Sequence, residues 1–225
     1  MLLNRLEYRL MNNPLRAALQ RHFEARRLLR MGGRMNGGVA LEIGCGRGVG
    51  VEIILDLFGA DTVHGFDVDP RMVYLAQSRL ARRDQCTRLW VGDATQIASP
   101  HAVYDTVFDF GIIHHVPRWR EAVAEVARVL KPGGRFYGEE VLKNLVIHPV
   151  VRRLFKHPTE DRFDAVNLRS ALEDAGLTLH RWKETCNCAA WFVAIKSAGQ
   201  DGPTASSPLK YSRFQAAFRF GRAMK

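Results

Sequence analysis

The chain of 225 residues has no apolar stretch near the roughly 18 to 20 residues that span a bilayer. Its start offers no apolar segment followed by a small-residue cleavage site, so it does not read as a secretory signal. The first 36 residues are arginine-rich but contain no Ser or Thr and include Glu7 and Glu24. That composition argues against an import peptide. Only four cysteines are present, at 45, 86, 186 and 188, and they do not space as a disulfide framework. Reduced thiols in a cytoplasmic compartment are the simplest reading. No internal repeat is visible. Acidic residues are missing from the last 17 positions, LKYSRFQAAFRFGRAMK (209–225).

What is present is ordinary for a globular protein: 47% hydrophobic and 25% charged residues, with a net charge of +10. The charge is unevenly placed. Residues 1–36 hold eight Arg against two Glu, residues 197–225 hold five basic residues against Asp201, and the middle balances. Basic ends on a neutral body suggest an anionic partner, such as a lipid surface, nucleic acid or an acidic substrate. Solvated helical faces are the alternative.

Three units follow. Residues 1–36 are helical in pattern, with Leu3, Leu6 and Leu10 at helical spacing and a second helix starting after Asn13-Pro14. The glycines at 32, 33, 37 and 38 link them to residues 37–196, where strands and helices alternate. VALEI (39–43), TVHGFD (62–67), RLWVGD (88–93), VYDTVFDF (103–110) and RFYGEEV (135–141) read as strands. Helices are predicted over 49–59, from Asp69-Pro70 through RMVYLAQSRL, over 120–130 and over 167–176, with a turn at Lys131–Gly134. LTLHRWKE (177–184) and AAWFVAIK (189–196) form a closing strand pair. The pattern predicts an α/β fold with a doubly wound, Rossmann-like sheet, carrying N-terminal helices and a basic C-terminal tail. Residues 197–225 combine a linker poor in hydrophobics with that tail. The tail resembles a short interfacial helix, or else a helix packed on the domain.

The glycine-rich stretch LEIGCGRGVG (41–50) follows the first strand, at the end where such sheets bind ligands. A dinucleotide fingerprint would put a third glycine at 49, where Val49 stands, and no lysine makes a phosphate loop. An acid for ribose hydroxyls is expected about 20 residues after the loop, and Asp67 ends the second strand there. Asp93, ending the third strand, can accept a hydrogen bond from an exocyclic amine of adenine. Together these describe a pocket for adenosine without pyrophosphate.

The stretches LEIGCGRGVG, FDVDP, VGDA, DFGIIHHVP and LKPGGRFY, in that order, resemble the class I S-adenosylmethionine-dependent methyltransferases. The HHV and LKPGG turns are most similar to the ubiquinone and menaquinone biosynthesis branch. The resemblance implies seven strands with the last antiparallel, S-adenosyl-L-methionine as cofactor and S-adenosyl-L-homocysteine as product. It implies that Gly44, Gly46 and Gly48 let the backbone approach the methionine part, and that Glu42 helps hold its ammonium group. It also implies that Asp67 takes the ribose hydroxyls and that Asp93 and Ala94 frame the adenine. Val68 and Phe110 complete the cofactor-binding set, while Cys45 and Arg47 read as filler.

Methyl transfer needs a base only when the nucleophile arrives protonated, and His114 and His115 in DFGIIHHVP are the candidates. Contact without proton transfer and packing under the loop are the other readings. Glu139 and Glu140 face opposite sides of strand five, so one of them is expected to look into the pocket. No metal is expected. The insert LKNLVIHPVVRRLFKHP (142–158) mixes apolar residues with Arg152, Arg153 and Lys156, which suits a lipophilic or aromatic acceptor bearing an anionic group. A nucleic-acid methyltransferase is one alternative, but no N-P-P-aromatic sequence, catalytic Cys motif or RNA-binding module supports it. A non-catalytic interaction protein on the same fold is another.

Overall fold

The computed structural model describes residues 13–146 and 162–198. The repeat Leu3–Leu10, most of the insert 142–158, all but the first two residues of the linker and the whole basic tail lie outside the described residues.

Helix α1 (Pro14–Leu19) starts where the Asn13 side chain accepts a hydrogen bond from the Arg16 amide at 2.8 Å, with Pro14 in the first turn. It runs through a π-helical turn (Gln20–Glu24) into α2 (Ala25–Gly32). Strand β1 (Val39–Ile43) leads through the glycine loop into α3 (Val49–Ile53), which closes in a second π-helical turn (Ile54–Phe58). Then come β2 (Thr62–Asp67), α4 (Pro70–Arg79) and β3 (Thr87–Val91). They are followed by β4 (Tyr104–Phe110), α5 (Trp119–Val129) and β5 (Leu130–Val141). A short α6 (Lys143–Val146), α7 (Ala165–Asp174), β6 (Leu177–Thr185) and β7 (Ala189–Lys196) complete the described elements.

The strands form one sheet in the order β3-β2-β1-β4-β5-β7-β6. The pairs from β3 to β5 are parallel, and β7 runs antiparallel to both β5 and β6. This is the seven-stranded sheet with an antiparallel last strand that the sequence led one to expect. Its strands are apolar because both faces are covered. One face packs Val123, Val126 and Leu168 of α5 and α7. The other packs Leu28, Val51, Phe58, Ala76 and Leu80 from α2 through α4.

One expectation changes. The predicted turn at Lys131–Gly134 is instead part of β5, which pairs from Leu130 opposite Tyr104 and slips register before Arg135 meets Thr106. Gly133, at φ +76°, absorbs that irregularity within the strand. The order reverses between β1 and β4, so the crevice at their carboxyl ends is the expected ligand site.

Candidate functional site

A cavity of about 430 Å³ opens at that crevice, walled by α1, the glycine loop and the carboxyl ends of β1, β2, β3 and β4. Of the expected cofactor residues, Glu42, Gly44, Gly46, Asp67, Val68, Asp93, Ala94 and Phe110 all line it. Gly48 is not among the lining residues. It sits at φ +86°, and a Cβ there would come within 3.1 Å of Leu80 and 3.2 Å of Ala76. Gly48 therefore serves the approach of α3 to α4.

Glu42 is 2% exposed, and its side chain crosses to the start of α3. A Cβ on Gly50 would lie 1.9 Å from Glu42 Oε1, so only glycine leaves room for the carboxyl. Burial, then the neighbouring Asp67 and Asp109, push the Glu42 carboxyl well above the usual range. Its Oε2 is buried with no hydrogen-bond partner among the described residues. Such an oxygen, aimed at a cavity, fits a cationic ligand group and opposes a phosphate.

Asp67 holds the loop itself. Its Oδ2 accepts from the Gly46 amide and its Oδ1 from the Asp69 amide, each at 2.9 Å. Each oxygen keeps lone-pair capacity for a ligand hydroxyl. Burial raises the Asp67 carboxyl, against the lowering effect of those two amides. Asp93 is exposed, and its Oδ1 takes the amide and hydroxyl of Thr95, both at 2.8 Å, which hold its carboxyl below the usual range.

The two histidines part company. His115 lines the cavity, whereas His114 does not. His114 is 6% exposed and its Nδ1 lies 2.6 Å from Glu140 Oε2. Burial lowers the His114 imidazole to about 3, so the ring is neutral at neutral pH and the contact is not an ion pair, while burial raises the Glu140 carboxyl to about 7. The two rings sit 4.1 Å apart between centroids. Neither Glu139 nor Glu140 lines the cavity. Glu139 accepts from Trp191 Nε1 at 2.9 Å, and burial beside Glu24 pushes it up to about 8.

Sequence reasoning missed part of the wall. Arg16, Ala17 and Gln20 reach it from the N-terminal helix, and Ile112, Pro117 and Arg118 from the segment after β4. Cys45 and Arg47, read as filler, line it too, and Arg47 donates to the Asn13 carbonyl at 2.9 Å. That bond ties the glycine loop to the start of α1. Nothing local in the loop signals it, because its acceptor is a main-chain oxygen 34 residues earlier.

Residues 41–138 match a family model described as a methyltransferase domain, and that span contains the loop, both strand-end acids and the histidine turn. Over those residues the chain is similar to a methyltransferase domain. Similar curated proteins include a fatty-acid O-methyltransferase of Mycolicibacterium smegmatis, 34% identical over 98 residues, which are 43% of this chain and 34% of that protein. A demethylmenaquinone methyltransferase of Lactiplantibacillus plantarum is 29% identical over 132 residues, covering 57% of this chain and 55% of that one. The chain covers 24% to 39% of the length of the first curated relatives it matches. A solved SAM-dependent methyltransferase from Aquifex aeolicus shares the fold at TM-score 0.65 and 20% identity, over 84% of this chain and 96% of that one.

The residues present fit the cofactor of the methyltransferases that the chain resembles, since the orphaned Glu42 oxygen suits a cation such as an α-ammonium group. A consequence can be measured. A carboxyl raised above its ordinary 4.5 holds its proton to higher pH in the folded state than in the unfolded one. Its contribution to stability is thus present at low pH and is lost as pH rises through the raised value. Pairing with an ammonium favours the carboxylate and reverses the shift. Binding of S-adenosylmethionine is therefore expected to release up to about one proton. Calorimetry in two buffers of different ionisation enthalpy should show unequal heats, and Glu42→Gln should make them equal. Equal heats for the wild type would mean that no carboxyl changes protonation on binding.

Proposed function

We propose that the protein transfers the methyl group of S-adenosylmethionine to a small lipophilic or aromatic acceptor, on oxygen or carbon. The observation that carries this reading is a single cavity that joins Glu42, Asp67 and Asp93 to His115. Apolar side chains of Ile112, Val116 and Pro117 flank that histidine. Two of the similar curated proteins are named for fatty-acid and demethylmenaquinone methylation, which supports an apolar acceptor. The basic ends support contact with an anionic membrane surface, where such an acceptor would be held. Among the described residues no helix is long and apolar enough to cross a membrane, and no group of three or more His, Cys, Asp or Glu could hold a metal ion.

Bound in this cavity, the cofactor would supply an electrophilic methyl on a sulfonium, open to in-line attack by an acceptor with S-adenosylhomocysteine as the leaving group. Glu42 would hold the ammonium end, Asp67 would accept from the ribose hydroxyls, and Asp93 with Ala94 would border the base. Holding both reactants in register contributes about 7 to 11 kcal/mol. Where the acceptor arrives as a hydroxyl or an activated carbon acid, His115 takes its proton as the new bond to the methyl forms.

The test is transfer of labelled methyl to a panel of quinols, phenols, fatty acids, ethanolamine phosphates and transfer RNA. Turnover confined to the first three is expected. Turnover on RNA or on amines alone would overturn the acceptor class. No turnover, together with no binding of S-adenosylmethionine, would leave an interaction protein on this fold.

A further inference from the structure

Two buried acids behind the cavity have no place in that chemistry, and they face each other. Asp109 is 0% exposed and Glu140 is 1% exposed. Strand pairing puts Asp109 opposite Gly138, so Glu140, two residues on, points to the same face of the sheet. The two carboxyls interact side chain to side chain, and Asp109 Oδ2 is buried with no hydrogen-bond partner among the described residues. Two carboxyls in such contact hold one proton between them, because two adjacent buried charges repel too strongly.

Their remaining oxygens take up the turn that follows β4. Asp109 accepts from the Gly111 amide and, through Oδ1 at 2.9 Å, from the Ile112 amide. Glu140 Oε1 accepts from the Ile113 amide at 2.7 Å. Its Oε2 receives the His114 amide at 3.3 Å and His114 Nδ1 at 2.6 Å. Four successive main-chain amides thus end on two carboxyls, and the next residue is His115. Arg162 caps the turn from outside by donating to the His114 carbonyl.

We propose that Asp109 carries the shared proton and donates it to Glu140, and that the Glu140 carboxylate is the positioning residue that seats His115 at the cavity. The number of bonds decides the side. Glu140 accepts three donors from the turn and faces the Arg162 cation, so the negative charge is best held there. Asp109 accepts two, from the Gly111 and Ile112 amides, and its Oδ2 has no hydrogen-bond partner among the described residues, which leaves that oxygen to carry the proton. Glu140 in turn fixes His114 as the tautomer protonated on Nδ1, and the His114 ring supports His115 at 4.1 Å.

The inference rests on the reading of His115 as the acceptor-side group, and its test separates the two. Asn at 109 reproduces a protonated carboxyl, with an oxygen for the turn and an N–H for Glu140. Gln at 140 instead turns an N–H toward donors. With acceptor turnover as the readout, Glu140→Gln should lower kcat about 10- to 100-fold while S-adenosylmethionine affinity stays within about threefold, since small misplacements act on the reacting geometry. Asp109→Asn should keep at least about ten times the kcat of Glu140→Gln. Nitrogen-15 NMR of labelled histidine should show a strongly hydrogen-bonded His114 Nδ1–H in wild type and Asp109→Asn, and its loss in Glu140→Gln. Equal damage from both substitutions, or the reverse order, would overturn the assignment of the proton. If the acceptor reading itself fails, the NMR signal still decides the proton's place. If Glu140→Gln does not fold, wild type and Asp109→Asn suffice, because absence of the Nδ1–H signal in either one overturns the proposal.

Discussion

Asp67→Ala should weaken S-adenosylmethionine binding by about 100-fold or more. A carboxylate that accepts two hydroxyl hydrogen bonds contributes about 1.5 to 3 kcal/mol for each, and 1.4 kcal/mol is a factor of ten. The substitution also frees the Gly46 and Asp69 amides, which set the curvature of the loop. The fold itself should survive. Asp67 is half-buried, its carboxyl is raised by desolvation, and it is the second largest cause of the raised Glu42 carboxyl. Its removal relieves a crowd of acids as it deletes two bonds. Calorimetric titration with S-adenosylmethionine and S-adenosylhomocysteine, with NAD as control and a thermal melt beside it, makes the measurement. Unchanged affinity in a folded Asp67→Ala protein would mean that the ribose lies elsewhere and would remove the adenosine pocket from this crevice.

His115→Gln should lower kcat about 100- to 10,000-fold with the acceptor, the usual range for losing a general base. Its effect on S-adenosylmethionine affinity should stay within about threefold, because the acids proposed to hold the cofactor come from other strands. Glutamine keeps a polar side chain of comparable reach but takes no proton at neutral pH. A fall in kcat with unchanged KM would assign His115 to the transition state, whereas a raised acceptor KM with intact kcat would reduce it to a binding contact. His114→Gln is the informative companion. It leaves the cavity wall in place and deletes a buried partner of Glu140, so its first effect should be a lower melting temperature.

The histidine pair also shows where sequence stops speaking. Both residues stand just past the carboxyl end of the fourth strand, and by residue type alone both are candidates for a proton transfer. Neighbours in a tight turn point in different directions, and which one faces the ligand depends on what claims the other. Glu140, 26 residues away on the next strand, claims His114. The same holds for Glu139 and Glu140. Their alternation was legible, but both carboxyls find partners before reaching the cavity, one with Trp191 and Glu24 and the other with Asp109 and His114. Arg47 was read as filler because its acceptor, the Asn13 carbonyl, is a main-chain atom with no sequence signature.

By itself the sequence determined what depends on short-range physics. Apolar runs bounded by glycine and proline set the strands and helices, Asp69-Pro70 set the start of α4, and Asp67 at the end of β2 with Asp93 just past β3 marked the crevice. A strand-end acid is carried to the ligand edge by the strand that precedes it, so its place follows from local structure. Tertiary structure alone decided the rest: the extension of β5 through Lys131–Gly134, the use of Gly48 for helix packing, the arginine tether across the loop, and the shared proton behind the histidine turn. Each of these rests on a contact between segments far apart in the chain, and such contacts exist only once the sheet has ordered its strands.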